Sequence, residues 1–354
     1  YLKQNKVPCN GTTETRWSSA SITTEVWMYG RIDVWKRTNY EIPHKVRDDN
    51  ISAVYGSNEK YFTNSGEVTD AGVELSLRYN PIHNRDWDWV IYANGSYLRS
   101  EVTSLGNQDR IVTDYTAFNN DDAQTLLKKG KSPYEFYGYR TKGVFATTAE
   151  AEASGLKSTY GHSYQGGDVI FVDQDNNGII NDNDRVSLGS AVPDWFGSFG
   201  TSLRWRQWLL SADFSFSIGN KAYNAVRRQT ESMDRFYNQS TSVLSRWQKE
   251  GDQTHMPRAA YGDPSGNNFF SDRWVEDASY LKLRDVRLSY DFTKRQVRFA
   301  SGTIWLGAEN LFTVTKYLGA DPEFSYCYSE ALRGFDYAKV SNPVTYKVGV
   351  CLNF

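Results

Sequence analysis

The sequence predicts an all-β fold, a transmembrane antiparallel β-barrel, on three observations. Apolar and polar residues alternate through several stretches. The chain is rich in aromatics but has no apolar run long enough for a membrane helix. The connections between alternating stretches are short and long in turn. The last twelve residues show the alternation most plainly: Tyr346, Val348, Val350, Leu352 and Phe354 fall on one face of a strand, and Lys347, Gly349, Cys351 and Asn353 on the other. Successive side chains of a strand point to opposite sides, so this one has a greasy face and a polar face.

Composition narrows the class. Aromatics make up 15% of the 354 residues, and a membrane helix would need about 18 consecutive apolar residues. Only strands in a closed sheet can then cross a bilayer, because hydrocarbon offers no partner to an open backbone group. A net charge of -2 leaves no footprint for nucleic acid. Cys9, Cys327 and Cys351 match no metal or redox spacing, the four histidines form no metal site, and no nucleophile-elbow, zincin or phosphate-loop motif occurs, so an enzyme is not expected. The chain opens at Tyr1 without Met or signal peptide, which reads as a processed or partial piece of something longer.

In chain order, residues 1 to 19 are polar and carry no pattern. Ile22 to Met28 and Ile32 to Val34 alternate around Tyr29-Gly30-Arg31, a hairpin with a short turn there. The pattern lapses over 41 to 70 and returns at Val73, Leu75, Leu77 and Tyr79, then at Trp87, Trp89, Ile91, Ala93 and Tyr97. Residues 99 to 194 are a long polar insertion. Trp195 to Trp205 and Trp208 to Ile218 form the clearest hairpin, with only Arg206-Gln207 between them; a two-residue turn pairs Trp205 with Trp208, Leu203 with Leu210 and Phe199 with Phe214. After an insertion over 219 to 279, Leu281 and Leu283 sit on the opposite parity to Val286, Leu288 and Tyr290, which implies a bulge or membrane boundary near Arg284. Ile304, Leu306 and Ala308 make the next strand, and 312 to 342 a last insertion.

The connections run short, long, short, very long, short, long, short, long over nine spanning strands, as periplasmic turns and extracellular loops do in outer-membrane barrels. Nine strands leave an open edge in hydrocarbon, so earlier strands are expected from the rest of this chain or from another polypeptide.

Asp173-Gln-Asp-Asn-Asn-Gly-Ile-Ile-Asn-Asp-Asn-Asp184 places Asp173, Asp175 and Asn177 at positions 1, 3 and 5 of an EF-hand-type loop, glycine at 6, the Ile179 carbonyl at 7 and Asp184 at 12. Calcium takes six to eight oxygens and the glycine permits the sharp turn, so Ca2+ is the expected cofactor; a polar Asx-rich turn is the plainer reading. Loop aromatics such as Tyr134, Phe136, Tyr137, Tyr139, Trp247 and Trp274 are expected to pack the loops together. Tyr346, Val348, Val350, Leu352 and Phe354 are the expected handle for outer-membrane assembly, with their side chains toward lipid.

Gly167-Asp168-Val-Ile-Phe-Val-Asp173 with Asp184-Arg185 and Gly189-Ser190, Ser245-Arg-Trp247 with Glu250-Gly-Asp252 and Pro257-Arg258, Glu276-Asp-Ala-Ser-Tyr-Leu-Lys-Leu283, Asn310-Leu-Phe312 to Tyr317 with Asp321-Pro-Glu323, and the terminal Phe occur in one order along the chain. In these the chain resembles the carboxy-terminal half of SusC/RagA-like TonB-dependent transporters of Bacteroidetes. The resemblance implies a 22-stranded outer-membrane barrel with an amino-terminal plug absent from this sequence, energised by the TonB complex and covered by a SusD-like surface lipoprotein, importing glycan or peptide. A passive pore or adhesin-like barrel is the alternative, and a soluble glycan-binding β-protein a third reading.

Overall fold

The computed structural model describes the backbone of residues 4–9, 12–18, 22–24, 28–46, 61–114, 122–323 and 330–354, and side chains within these from 28 onward except 38–65 and 330. An 11-stranded antiparallel sheet dominates: β1 (Gln4–Cys9), β2 (Thr12–Ser18), β3 (Ile22–Thr24), β4 (Met28–Val46), β5 (Tyr61–His83), β6 (Trp87–Ser104), β7 (Trp195–Trp205), β8 (Trp208–Ile218), β9 (Tyr280–Phe292), β10 (Ser301–Thr315) and β11 (Thr345–Asn353). The strands follow chain order across the sheet, with β2 and β3 lying one after the other along β4.

The hairpin read from the sequence has its predicted register: Trp205 faces Trp208, Leu203 faces Leu210 and Phe199 faces Phe214. The turns at 84–86, 206–207 and 293–300 share one end of the sheet. There the Arg206 amide donates to the Asp86 carbonyl at 2.7 Å and the Asp291 amide to the Gln207 carbonyl at 2.8 Å. The insertion after Ile218 leaves from the other end, beside Trp195. The parity change in β9 is a bulge: the register slips at Arg284 against both neighbours.

Four expectations change. Residues 4 to 18, which show no pattern, form β1 and β2, so the sheet has eleven strands where nine were counted. Tyr29-Gly30-Arg31 is no turn: Ile22 pairs with Gly30 and Thr24 with Met28, so β4 runs straight through these residues. The strands also outrun the alternation, β4 reaching Val46, β6 Ser104 and β10 Thr315. Backbone pairing needs only a partner strand, whereas alternation is enforced only where one face meets hydrocarbon. Finally, Cys9 pairs with Thr12 and Thr12 with Asn39, so the adjoining ends of β1 and β2 lie at the long-loop end although few residues separate them. The short-long rule holds from β3 onward.

The two faces differ in chemistry along every row of the sheet. Tyr79, Ile91, Thr201, Ala212, Val286, Ala308 and Tyr346 align across it, as do Trp89, Leu203, Leu210, Leu288, Leu306 and Val348. Below them Trp87, Trp205, Trp208 and Tyr290 form an aromatic row beside the short turns, Trp87 stacked on Trp205 at 5.8 Å and Trp208 tilted against Tyr290 at 4.7 Å. Tyr97 and Trp195, 4.9 Å apart, mark the upper row. From Trp195 to Trp205 the strand rises about 3.4 Å per residue, and a tilt of about 40° makes the band about 25 Å tall, the height of an outer-membrane apolar belt. Within it the Trp89 indole donates to Thr201 Oγ1 at 2.8 Å, so this donor does not face lipid unpaired.

The opposite face holds Arg78, Tyr92, Asp213, Asp285 and Glu309 in one row. Tyr92 donates to Asp213 across Gly200, where a Cβ would collide with both. On β11, Tyr346, Val348 and Val350 pair with Ala308, Leu306 and Ile304 on the apolar face; Lys347 reaches Glu309 on the polar one. Phe354, 84% exposed, follows the last paired residue. Among the described residues, β1 and β11 each have one sheet neighbour.

Adjacent residues on opposite faces provide a test. Ala212→Arg puts a cation at mid-belt and should cost about 2 to 4 kcal/mol, lowering the heat-modifiable folded fraction, while Ser211→Arg, one residue away on the polar face, should leave it near wild type. Equal losses would mean that the faces are wrongly assigned.

Candidate functional site

The long insertions 99–194, 219–279 and 312–342 fold together at one end of the sheet. Phe136, Tyr223, Phe270, Trp274 and Phe335 form a core there, all fully or almost fully buried, and Tyr139, Phe145, Tyr164, Val169, Phe171 and Ile180 a second one. Phe136, Tyr137, Tyr139 and Trp274 are buried as the loop-packing expectation requires. Burial pushes the Tyr139 hydroxyl up to about 12, and Arg185 lies over its ring at 4.7 Å.

Asp168 ties the insertions together. Wholly buried, it accepts from Arg258 Nε at 2.8 Å, Ser265 Oγ at 2.9 Å, Asn267 Nδ2 at 3.0 Å and the Gln165 amide at 2.9 Å. A buried carboxylate is tolerated when paired and hydrogen-bonded on this scale. Beside it Trp247 covers Gly166 and Gly167, where any Cβ would meet the indole, and donates to the Ala146 carbonyl at 3.0 Å. These are the residues of the Gly167-Asp168, Ser245-Arg-Trp247 and Pro257-Arg258 motifs, so the motifs mark one junction. The Asp321-Pro-Glu323 motif does similar work. Lys282 on β9, with its side chain 3% exposed, meets Asp321 at 2.9 Å and Glu323 at 3.3 Å, and Arg284 pairs with Glu323.

Of the predicted metal residues, Asp173, Asp175 and Asp184 converge, their carboxylate oxygens within 4.8 Å of one another. Asn176 and Gly178, at φ 58° and 78°, supply the left-handed turn. Asp173 accepts from the Gly178 amide at 2.7 Å. Burial pushes its carboxyl up, but the amides of Gly178, Asn176 and Asn177 outweigh this and hold it below the usual range. Asp184 is wholly buried and accepts from the Gln174 and Asn181 amides at 2.7 and 2.8 Å. Asn177 Oδ1 accepts from the Ile179 amide at 2.7 Å, and the Ile179 carbonyl from Asn181 Nδ2 at 3.1 Å. Each of these oxygens retains a lone pair, so the donor set fits a hard cation. Tyr346, Val348, Val350, Leu352 and Phe354 lie far along the chain on β11 and its end, apart from this loop.

Two clefts flank the short helix Ala225–Glu231, and neither was visible in the sequence. One, about 470 Å³, is lined by Tyr223, Gln229, Arg235 and Tyr237 among others. The other, about 560 Å³, lies between the helix and the 318–320 and 336–339 segments. Their walls come from residues about a hundred positions apart, and no local signal links them.

No protein-family model matches the chain. It is 27% identical over 309 residues to TonB-dependent receptor P3 of Formosa agariphila, covering 85% of this chain and 30% of that protein. Against TonB-dependent receptor SusC of Bacteroides thetaiotaomicron it is 23% identical over 334 residues, 92% of this chain and 30% of that one. In sequence the chain is thus similar to TonB-dependent receptors, SusC among them. The structure of the RagAB peptide transporter superposes on all of it with a TM-score of 0.74 at 21% identity, using 38% of that chain. The 'open-open' state of the RagAB peptide importer gives 0.75 at 20% identity. These superpositions show that the chain shares the fold of the corresponding part of that transporter. The chain spans about a third of the length of the relatives it matches.

Breaking the junction tests how the loop layer is held. Arg258→Ala strands the buried Asp168 charge and should cost about 3 kcal/mol. We expect faster proteolysis within 99–194 and 219–279 with heat-modifiability of the barrel unchanged; unaltered cleavage would show that the pair is dispensable.

Proposed function

We propose that this chain is the carboxy-terminal part of the barrel of an outer-membrane nutrient importer, energised through TonB and capped by a SusD-like surface lipoprotein, that takes up oligosaccharides or peptides. One observation carries the reading: an amphipathic sheet about 25 Å tall between two aromatic rows, with compact loops at one end only, in a relative of TonB-dependent receptors. The free edges of β1 and β11 support closure by further strands, since open backbone groups in hydrocarbon cost several kcal/mol each. The relatives' remaining length would hold those strands and a plug.

Deleting the TonB-contacting segment of the whole receptor should abolish uptake of labelled oligosaccharide or peptide pools while the barrel stays folded in the outer membrane. Undiminished uptake would instead identify a passive pore. Assembly is tested separately: Phe354→Ala should reduce the heat-modifiable fraction in purified outer membranes, and an equal folded fraction would remove the terminal aromatic from any assembly role.

Three carboxylates, one oxygen of each within 4.8 Å of the others, with no arginine or lysine bonded to them among the described residues, favour a second element of the reading, calcium at Asp173, Asp175, Asn177, the Ile179 carbonyl and Asp184. An ion would relieve their mutual repulsion and brace the adjoining loop core. Terbium luminescence titrated with calcium should report one saturable site in the intact receptor, lost in Asp173→Ala. Luminescence unchanged by that substitution would leave only an Asx-rich turn.

A further inference from the structure

We infer that the cleft of about 560 Å³ between the Ala225–Glu231 helix and the 318–320 and 336–339 segments receives the headgroup of an outer-leaflet lipid, a phosphate-bearing glycolipid whose acyl chains lie on the apolar face below. This rests on the outer-membrane reading and adds to it a fixed contact with one membrane component. The volume falls within the range of small-molecule sites, about 300 to 1,000 Å³.

The alternation of β10 leads from the belt into the cleft. Phe312, 45% exposed, and Val314, 60% exposed, stand opposite Leu283 and Leu281 on the apolar face. Two residues on, Lys316 is exposed, and two beyond that Leu318, 68% exposed, lines the cleft. Between them Tyr317 is buried and its hydroxyl donates to Asp336 at 2.6 Å, which sets the parity of its neighbours. Trp195 pairs with Tyr97 and with Ile218, and the adjoining row runs from Ser217 through Tyr280 to Thr315. Lys316 therefore continues the upper row of Tyr97, Trp195 and Ile218. Such a row marks the headgroup level, where a lysine lays its stem on apolar surface and places its ammonium among phosphates.

The sheet has a step at this point. β11 pairs with β10 only as far as Thr345 opposite Glu309, whereas β9 follows β10 up to Thr315. Among the described residues, Phe312 and Val314 thus have a strand neighbour on one side. Asn310 Nδ2 donates to the Pro343 carbonyl at 3.2 Å, which brings the segment before β11 alongside, with Val340 90% and Val344 47% exposed. These valines, Val314 and Leu318 give acyl chains an apolar path continuous with the belt.

Charge selects an anionic headgroup. The carboxylates around the cleft are satisfied within the protein. Glu231 accepts from Arg227 Nε at 3.0 Å and Ser242 Oγ at 2.8 Å, and Glu276 from Arg227 Nη1 at 2.9 Å and the Leu318 amide at 2.7 Å. Asp336 accepts from Tyr317 and from the Lys339 amide at 3.2 Å. Nearby, Asp277 accepts from the Ser279 amide and hydroxyl at 3.1 and 2.6 Å. Lys339, in the lining, and Lys316, on the rim, are both exposed, and Lys316 makes no salt bridge among the described residues. Cations therefore reach the headgroup level while the anions are turned inward.

The test is native mass spectrometry of the intact receptor, purified from outer membranes in detergent. It is titrated with monophosphoryl lipid A, with the dephosphorylated form of that lipid, and with inorganic phosphate. Monophosphoryl lipid A should give one saturable adduct. Lys316→Gln and Lys339→Gln should each weaken it about fivefold, the loss of one cation beside an anionic headgroup. Leu318→Asn should weaken it by a similar factor through lost apolar contact. Lys249→Gln, exposed elsewhere in the loops, should bind as wild type, and heat-modifiability should be unchanged in all four. The inference is overturned by absence of the adduct, by an adduct that both lysine variants retain at full strength, or by equal binding of the dephosphorylated lipid. Displacement of the lipid by equimolar inorganic phosphate overturns it too, since the site would then hold a free anion. None of these outcomes disturbs the outer-membrane reading, which the Ala212 and Ser211 substitutions judge, or the import reading, which fails only on the TonB-dependence of uptake.

Discussion

A backbone amide or carbonyl in hydrocarbon has no solvent to fall back on, and the structure follows from that constraint. Every spanning residue must find its partner on a neighbouring strand, so the chain runs as a meander in which sequence neighbours pair. Pairing sets the period at two, and the period sorts side chains by face. Ala212 and Val286 meet lipid while Asp213 and Asp285, one residue away on each strand, meet water. Interior charge is then balanced locally, as where Lys347 reaches Glu309. Small residues appear where inward groups must cross the sheet, as at Gly200 beneath Tyr92 and Asp213.

Beyond the aromatic rows the constraint lifts, and the chain behaves as a soluble protein. The insertions bury aromatics in two cores and pay for fully buried carboxylates with dense hydrogen bonding. Asp168 is the clearest instance: its bonds to Arg258 and Asn267 span 90 and 99 residues of sequence. Lys282 links the two regimes, since it belongs to a spanning strand yet is satisfied by Asp321 and Glu323 of the last loop. The loop layer is thereby fixed to the wall of the sheet, and the clefts beside the Ala225–Glu231 helix are held by packed surroundings. A ligand that enters a preorganised cleft loses less freedom on binding than one that must order its surroundings.

The period of two made much of the fold legible. From parity alone the register of β7 on β8, the slip at Arg284 and the shared apolar face of Tyr346, Val348 and Val350 all follow, and the structure bears each of them out. Where parity is silent the reading failed. β1 and β2 pair without an alternating sequence, and the assumed turn at Gly30 treated a glycine as a breaker within a continuous strand. Glycine there allows close approach to the Leu77 side chain, 3.1 Å from where a Cβ would sit, which composition does not distinguish from a turn.

The candidate sites divide in the same way. The Asp173 to Asp184 loop was readable because its oxygens come from one short segment and its turn from Gly178, so spacing alone brings the groups together. The Asp168 junction and the helix-side clefts were not, since each takes residues from separate insertions. By itself the sequence determined which residues share the apolar face, where the strands turn back near Asn84 and Arg206, and which loop gathers carboxylates, all local properties of a repeating backbone. Only the tertiary structure decided which distant residues share a buried charge or line a common cleft. Those pairings depend on how the insertions pack in three dimensions, and a linear pattern holds no period that records it.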